Sequence, residues 1–236
     1  MKDIFTILFR GRKVLLGRDF YQRRQLKRKR IKFGNRFADW TFCPDSINEE
    51  SVIYSFGVGS DISFDLQLME RFNLQVHAFD PSPGSVSWIK KQDLPDEFHF
   101  YPYGLAATDG EISFAEPTAP GVHSLFATNS GGKSVEALKQ HVLPVHRLPT
   151  IVKKLGHPGI DILKMDIEGA EYEVIDDIIE MQIPVKQVLI EFHHRFAHIG
   201  LKRTRQAISK LNEAGYKIFH VSATGEEFSF IKMPMR

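Results

Sequence analysis

The sequence predicts an α/β protein built around a mostly parallel sheet. A buried strand over residues 52–56 breaks into Gly57-Val58-Gly59, and apolar residues at helical spacing follow over residues 61–71. Strand and helix patterns then alternate from residue 74 to residue 214, which is typical of parallel strands joined by right-handed crossovers. Two closing strands with only a turn between them predict an antiparallel edge.

The other elements follow from apolar runs and turn residues. Further strands are predicted at 74–79, 98–101, 141–146, 160–165, 185–192, 216–222 and 227–231. Further helices are predicted at 85–91 with Ser85 as N-cap, at 148–155, from Gly169 to about Met181, and at 201–214. Segments 103–107 and 111–114 predict a hairpin closed by Asp109-Gly110, and residues 116–133, which contain His123, predict a long loop.

The composition suits one globular domain. The chain has 236 residues, of which 42% are hydrophobic and 25% are charged, so it can bury a sizeable core. Its single cysteine, Cys43, excludes an intrachain disulfide framework and favours a reducing compartment. No apolar run approaches the roughly 20 residues of a membrane span, and the run at 4–9 is too short for a signal-peptide core. A cytoplasmic location is therefore expected.

Positive charge is concentrated in a predicted N-terminal extension. Residues 1–36 hold 13 Lys/Arg and two acids, whereas the predicted domain, 37–236, holds 18 bases and 27 acids. Three interpretations stay open: an arm packed on the acidic body or on a second subunit, peripheral contact with an anionic membrane, and nucleic-acid binding. Nucleic acid is the least favoured, because no aromatic or zinc-type pattern for reading bases accompanies the charge.

The glycine turn predicts a nucleoside-type ligand site. Strand, glycine turn and helix together point free backbone N–H groups at a ligand. A dinucleotide fingerprint would need a third glycine at position 62, where this chain has Ile62. Asp80 ends the next strand 23 residues after Gly57, close to the spacing of an acid that binds ribose hydroxyls. The alternative interpretation is an ordinary tight turn with a capping Asp80.

Several chemically active residues follow strand ends. Asp166 and Glu168 come after the strand at 160–165, and His193 comes after the strand at 185–192. In parallel sheets ligands bind beyond the carboxyl ends of the strands. These residues are therefore expected to lie beside Gly57 and Asp80.

At this point the residues resemble those of a known family, the FkbM-type S-adenosylmethionine-dependent methyltransferases. The resemblance covers roughly residues 40–232 and rests on four segments: Tyr54-Ser-Phe-Gly-Val-Gly-Ser-Asp-Ile-Ser-Phe-Asp65, Phe79-Asp-Pro-Ser82, Asp161-Ile-Leu-Lys-Met-Asp-Ile-Glu-Gly-Ala-Glu171 and Ile190-Glu-Phe-His193. The Lys164-x-Asp166-x-Glu168-Gly-x-Glu171 element is the most specific of them.

The resemblance implies a class I methyltransferase fold, with a seven-stranded Rossmann-like sheet whose last strand is reversed. It implies S-adenosyl-L-methionine as cofactor and O-methylation of a small molecule, a sugar or a glycolipid. Gly57 and Gly59 would lie against the methionine part of the cofactor, Asp80 would bind the ribose, and Gly104-Leu105 would border the adenine. Many members carry Glu where this chain has Asp80. The cofactor-binding residues predicted in this way are Gly57, Gly59, Asp61, Asp80, Pro81, Gly104, Leu105 and Asp166.

The predicted catalytic residues are His193, Asp166 and Glu168. An alcohol needs a general base, and histidine suits that task because its unperturbed pKa lies near neutrality. His193 is therefore the predicted base, with Asp166 positioning the cofactor amine or the acceptor. No metal site is predicted, and the rival mechanism is a divalent metal on Asp166, Glu168 and His193.

Two other function classes remain alternatives. An NAD-dependent oxidoreductase or epimerase shares the strand–glycine–helix start, but the missing third glycine and the absence of a Tyr-x-x-x-Lys pair argue against it. A non-catalytic binding module would use the basic extension as its working part. Trp40 is interpreted either as a cover for the pocket or as core packing.

Overall fold

The computed structural model describes residues 2–36, 38–115, 126–127, 140–196 and 198–234, with side chains described except at 2–4 and 126–127. Its helices are α1 Lys2–Leu15, α2 Ser63–Phe72, α3 Pro83–Ile89, α4 Leu148–Leu155, α5 Glu171–Glu180 and α6 Gly200–Glu213. Its strands are β1 Ile31–Phe33, β2 Trp40–Phe42, β3 Ile53–Phe56, β4 Val76–Phe79, β5 Phe98–Tyr101, β6 Gly104–Leu105, β7 Gly110–Ala115, β8 Phe126–Ala127, β9 Gln140–His146, β10 Ile160–Met165, β11 Val185–Glu191, β12 Tyr216–Val221 and β13 Glu227–Lys232.

The main sheet is mostly parallel, as predicted. Its seven strands lie in the order β12-β13-β11-β10-β3-β4-β5. The run from β11 to β5 is parallel, whereas β13 is antiparallel to both β11 and β12. The parallel strands therefore all end at one edge of the sheet, called the carboxyl edge below.

Apolar side chains cover both faces of this sheet. Tyr54 and Phe56 of β3 belong to the larger core cluster on one face, and Ile53 belongs to the second cluster on the other. Leu163 and Ile162 of β10 divide in the same way. Burial on both faces explains why these strands are continuous apolar runs in the sequence, without the alternation of a half-exposed strand.

The predicted hairpin at 103–107 and 111–114 is wrong. β6 and β7 do not pair with each other in the structure, because β9 lies between them. Val145 of β9 pairs with Gly104 in parallel and with Gly110 in antiparallel orientation. Asp109 accepts hydrogen bonds from Arg147 N (3.0 Å) and Thr150 Oγ1 (2.8 Å), so it fixes the start of α4.

Two predicted helix starts also need correction. The N-cap of α3 is Ser82 rather than Ser85, since Ser82 Oγ accepts a hydrogen bond from Ser85 N. Helix α5 begins at Glu171 rather than at Gly169, because Glu168 and Gly169 have φ values of 53° and 103° and cannot continue a right-handed helix.

Part of the predicted loop at 116–133 falls within the described residues. Residues 126–127 form the short strand β8, which pairs with β7. His123 lies outside the described residues.

The N-terminal segment is packed against the rest of the chain. Phe20 is buried in the larger core cluster. The backbone N–H groups of Gln25 and Leu26 both donate to Ile218 O on the edge strand β12. Strands β1 and β2 lie on opposite sides of the domain boundary predicted between residues 36 and 37, and they pair with each other. The division of the chain at that boundary stays a prediction. Among the described residues, no helix has the length and apolar content needed to cross a bilayer.

Candidate active site

A cavity of about 730 Å³ opens at the carboxyl edge, beyond the ends of β3, β4, β10 and β11. All eight predicted cofactor-binding residues line it: Gly57, Gly59, Asp61, Asp80, Pro81, Gly104, Leu105 and Asp166. Of the predicted catalytic residues, Asp166 and Glu168 also line it. His193 is buried and is not part of the described cavity wall. The structure therefore brings together residues that the sequence separates by more than a hundred positions.

The glycine turn has two glycines with different surroundings. Gly57 has φ +81°, and a Cβ there would lie 2.9 Å from the carbonyl carbon of Asp166 and closer still to its oxygen. Gly59 has φ +57°, and a Cβ there would meet no atom within 4 Å. Gly57 is thus required by the packing of the chain on itself, whereas Gly59 keeps open a space that faces the cavity.

Asp80 connects this turn to the next strand end. Its Oδ2 accepts a hydrogen bond from Gly59 N (2.9 Å), and its Oδ1 accepts from Ser82 N (2.8 Å) and Ser82 Oγ (2.6 Å). The carboxylate is buried and held in one orientation. Each of its oxygens has two lone pairs, so Oδ2 can still accept one hydrogen bond from a bound ligand.

Asp61, Pro81 and Gly104 complete this side of the cavity. Asp61 accepts hydrogen bonds from Ser63 N (2.8 Å) and from Asn35 Nδ2 (3.2 Å). Burial would raise the pKa of Asp61, but the hydrogen bonds outweigh it and the pKa is lowered. A Cβ on Gly104 would come within 3.0 Å of Pro81 Cγ, so a larger residue would push Pro81 towards the cavity.

Lys164, which the sequence analysis did not assign to the site, braces the same turn. Its ammonium group donates to Gly57 O (3.0 Å) and Phe56 O (3.3 Å) and lies 5.1 Å from the centre of the Trp40 ring. Trp40 is buried and also lines the cavity, so both interpretations of it hold. In the sequence, Lys164 stands out as a charged residue within the apolar run of β10, and a buried charge needs a specific partner.

Carboxylates gather on the other side of the cavity. Glu191 ends β11 and pairs across the strands with Glu227, which begins β13, and both side chains line the cavity with Asp166 and Glu168. Like charges in a cross-strand pair are destabilising, so this arrangement has a cost that a structural role does not explain. Glu191 and Glu227 are not among the site residues predicted from the sequence, although each is an acid at one end of a strand, the same signal that indicates Asp80.

The pKa values of these acids report their crowding. Burial, with the neighbouring charges of Asp166 and Glu227, raises the pKa of Glu191 to about 8. Burial also raises the pKa of Asp166, against the opposing effect of Lys164. A carboxyl group with a pKa near the working pH can both accept and release a proton, and such groups concentrate at functional sites.

His193 is held as a cation. Its Nδ1 donates to Glu171 Oε1 (2.7 Å), while its Nε2 lies 3.4 Å from Glu168 Oε2 and 3.7 Å from Asp166 Oδ1. Burial would lower its pKa, but Glu171, Glu168 and Asp166 together raise the pKa of His193 to about 10. At neutral pH this imidazole already carries both protons and cannot accept another. Glu168 beside it has φ +53°, a conformation with a cost for a residue other than glycine.

A cation could also use part of this cluster. Asp166, Glu191 and His193 each offer a ligand atom within 4.8 Å of the others, and theirs is the only such group in the described part of the chain. Glu191 thus takes the place that the rival metal mechanism gave to Glu168. Two carboxylates and an imidazole suit several divalent metals, and His193 would have to release its Nε2 proton to take part.

A cavity placed in this way is typical of α/β proteins that bind a nucleoside cofactor beyond the carboxyl ends of their strands. The sequence profile of the methyltransferase FkbM domain matches residues 52–218, so the chain belongs to the FkbM methyltransferase family. Its cofactor is S-adenosyl-L-methionine.

Curated relatives agree with this assignment. The human probable methyltransferase-like protein 24 is 24% identical over 199 residues, which cover 77% of this chain and 47% of the relative. The protein of the same name from Rattus norvegicus is 24% identical over 178 residues, covering 71% and 42%. The chain therefore spans less than half the length of these relatives.

Among solved structures, Aeropyrum pernix fibrillarin with natively bound S-adenosyl-L-methionine aligns with a TM-score of 0.43 and 10% identity. The alignment covers 91% of this chain and 85% of fibrillarin.

Proposed function

We propose that this methyltransferase transfers the S-adenosylmethionine methyl group to a hydroxyl oxygen of a small molecule, a sugar or a glycolipid. The observation that carries the proposal is the division of one cavity into two sides. The side beyond β3 and β4 carries the glycine turn and Asp80, and the side beyond the neighbouring strands β10 and β11 carries Asp166 and Glu191. The strand order, with β13 reversed, supports assigning the class I methyltransferase fold.

The first side fits the cofactor. Asp80 is oriented to accept a hydrogen bond from a ribose hydroxyl, and the open space at Gly59 admits the methionine part. Gly104 and Leu105 would border the adenine. The sulfonium of the cofactor is a cation, so the negative charge of Asp166 and Glu168 complements it.

The second side fits the activation of an alcohol. Methyl transfer is an in-line displacement, for which the acceptor oxygen must lie roughly 3 Å from the methyl carbon in a site that excludes water. The alcohol proton must leave as the new bond forms, so a base is needed. His193, with a pKa of about 10, is almost fully protonated at neutral pH, whereas Glu191, with a pKa of about 8, is ionised in about a tenth of the molecules at pH 7 and in more of them as the pH rises. We therefore assign the base to the ionised form of Glu191 rather than to His193. His193 then positions Asp166 and Glu168.

The surroundings of the site support further parts of the proposal. Cys43 is buried and free, in keeping with a reducing, cytoplasmic location. The acceptor class and the reaction at oxygen are proposed from membership of the FkbM family.

The proposal is tested by transfer of a radioactive methyl group from S-adenosylmethionine to a panel of glycosides, polyketide alcohols and glycolipids. We expect the product to be an alkali-stable methyl ether. Glu191→Gln should lower turnover by about 10²–10⁴-fold, while its affinity for S-adenosylhomocysteine stays within about threefold of the wild-type value. The exposed Glu97→Gln is the matched control and should leave turnover unchanged. An N-methylated or alkali-labile product, or full activity of Glu191→Gln, would contradict the proposal.

A further inference from the structure

Helix α1 turns an apolar face towards solvent. Four large apolar residues lie on one side of the helix, because each is three, four or seven positions from another of the four: Phe5, Leu8, Phe9 and Leu15. Leu16 follows directly after the helix. These five side chains are 71%, 65%, 62%, 89% and 56% exposed. Scattered apolar residues on a surface need no explanation, but a continuous stripe of large ones marks a contact site.

The opposite side of α1 holds the helix to the protein. Arg10 donates to Ser222 O (3.2 Å) in the turn between β12 and β13 and to Phe20 O (3.1 Å), which follows α1 in the N-terminal segment. Its guanidinium group also lies 4.0 Å from the buried Asp19 carboxylate. The exposed stripe is therefore presented by a docked helix.

This docking point lies at the carboxyl edge, where the cavity is. The turn after β12 leads into Glu227, whose side chain lines the cavity. Arg195 connects the two parts, because it forms ion pairs with both Asp19 and Glu226 in that turn. Phe192 N, one residue beyond Glu191, donates to Glu226 O (2.8 Å).

The N-terminal segment that carries the stripe is rich in bases. Arg12 lies within the exposed face, and the ammonium group of Lys13 lies 5.0 Å from the centre of the Phe9 ring. Further along the segment the following bases are exposed: Arg18, Arg23, Arg24, Lys27, Arg28, Lys29 and Arg30. Asp19 is buried among its ion pairs and does not offset this charge at the surface.

We propose that this face of α1, together with the surrounding bases, binds the surface of an anionic lipid bilayer and holds the carboxyl edge of the sheet against it. A bilayer surface accepts large apolar side chains among its acyl chains and bases at its headgroups. Nucleic acid would use the bases but leave the apolar stripe in water. A second copy of the chain would bring an equally basic segment against this one.

The test is cosedimentation of the full chain with vesicles of 70% phosphatidylcholine and 30% phosphatidylserine, and with vesicles of phosphatidylcholine alone. We expect binding to the anionic vesicles that weakens at least tenfold between 0.1 and 0.5 M NaCl, because salt screens the basic segment. Leu8→Ser/Phe9→Ser should lower the affinity at least tenfold. The control Val142→Ser/Met181→Ser removes two exposed apolar side chains elsewhere and should bind like the wild type.

Three outcomes would overturn the proposal. They are equal vesicle binding by Leu8→Ser/Phe9→Ser and the wild type, tight binding to duplex DNA or RNA without vesicle binding, and a dimer that Leu8→Ser/Phe9→Ser dissociates. Thermal unfolding and S-adenosylhomocysteine affinity, measured on each variant, exclude misfolding as the cause. Because cofactor affinity does not depend on the membrane, a failure here is distinct from a failure of the proposed function.

Discussion

The two glycines of the cofactor turn should respond differently to the same substitution. Gly57→Ala and Gly59→Ala both force an alanine into a left-handed conformation, which costs about 1–2 kcal/mol. At Gly59 that strain is the whole cost to folding, since nothing lies within 4 Å of the new methyl group. At Gly57 the methyl group also overlaps the main chain of Asp166, and overpacking adds about 1–3 kcal/mol.

The loss of cofactor affinity should rank the glycine variants in a different order from the loss of stability. The methyl group of Gly59→Ala enters the space assigned to S-adenosylmethionine, so we expect a loss of at least about tenfold in S-adenosylhomocysteine affinity from a protein that is nearly as stable as the wild type. Gly156→Ala is the matched control. Gly156 ends α4 with φ +74°, has no atom within 4 Å of the added Cβ, and does not line the cavity.

Urea unfolding and calorimetric titration with S-adenosylhomocysteine measure the two effects separately. We expect Gly57→Ala to lose about 2–5 kcal/mol of unfolding free energy, and Gly59→Ala and Gly156→Ala about 1–2 kcal/mol each. Only Gly59→Ala should combine a small stability loss with a large affinity loss. Equal destabilisation by Gly57→Ala and Gly59→Ala, or a Gly59→Ala affinity within twofold of the wild type, would contradict the different roles assigned to the two glycines.

Three further predictions concern charge and metal. Burial lowers the pKa of His77 to about 4, so its contribution to stability is present above pH 6.5 and is lost as the pH falls towards 4. The free energy of unfolding, measured in urea, should fall between pH 7 and pH 4.5 by about 2–3 kcal/mol less for His77→Phe than for the wild type. Glu171→Gln removes the main partner of His193 and should lower its pKa, which NMR titration of the imidazole measures; an unchanged pKa would exclude the pairing. EDTA should leave methyl transfer unchanged, and a loss of activity restored by Mg²⁺ or Mn²⁺ would instead establish metal use at Asp166, Glu191 and His193.

The sequence was sufficient to place most of the cavity wall. Gly57, Asp80 and Asp166 each follow an apolar strand, and one rule about parallel sheets brings the ends of such strands together. The strand at 160–165 and the helix at 148–155 have the predicted bounds, because an apolar run and a proline–glycine pair mark them locally. Local signals of this kind need no knowledge of distant partners.

The errors arose where distant residues decide the outcome. An Asp-Gly pair at residues 109–110 predicts a local hairpin between β6 and β7. In the structure both strands pair instead with β9, which begins thirty residues later. The protonation of His193 depends on Glu171, which lies 22 residues earlier in the chain. The prediction of His193 as the base assumed the unperturbed pKa of histidine. In the same way the docking of α1 rests on Arg10, whose hydrogen-bond partner Ser222 lies 212 residues later in the chain.

The most direct test of the account is a calorimetric titration of the purified chain with S-adenosylhomocysteine, with NAD⁺ as a parallel ligand and Asp80→Ala as the variant. We expect micromolar binding of S-adenosylhomocysteine, a loss of at least about tenfold in affinity in the variant, and no binding of NAD⁺. Binding of NAD⁺ in its place, or an Asp80→Ala variant that binds S-adenosylhomocysteine like the wild type, would contradict the assignment of the cofactor to this cavity.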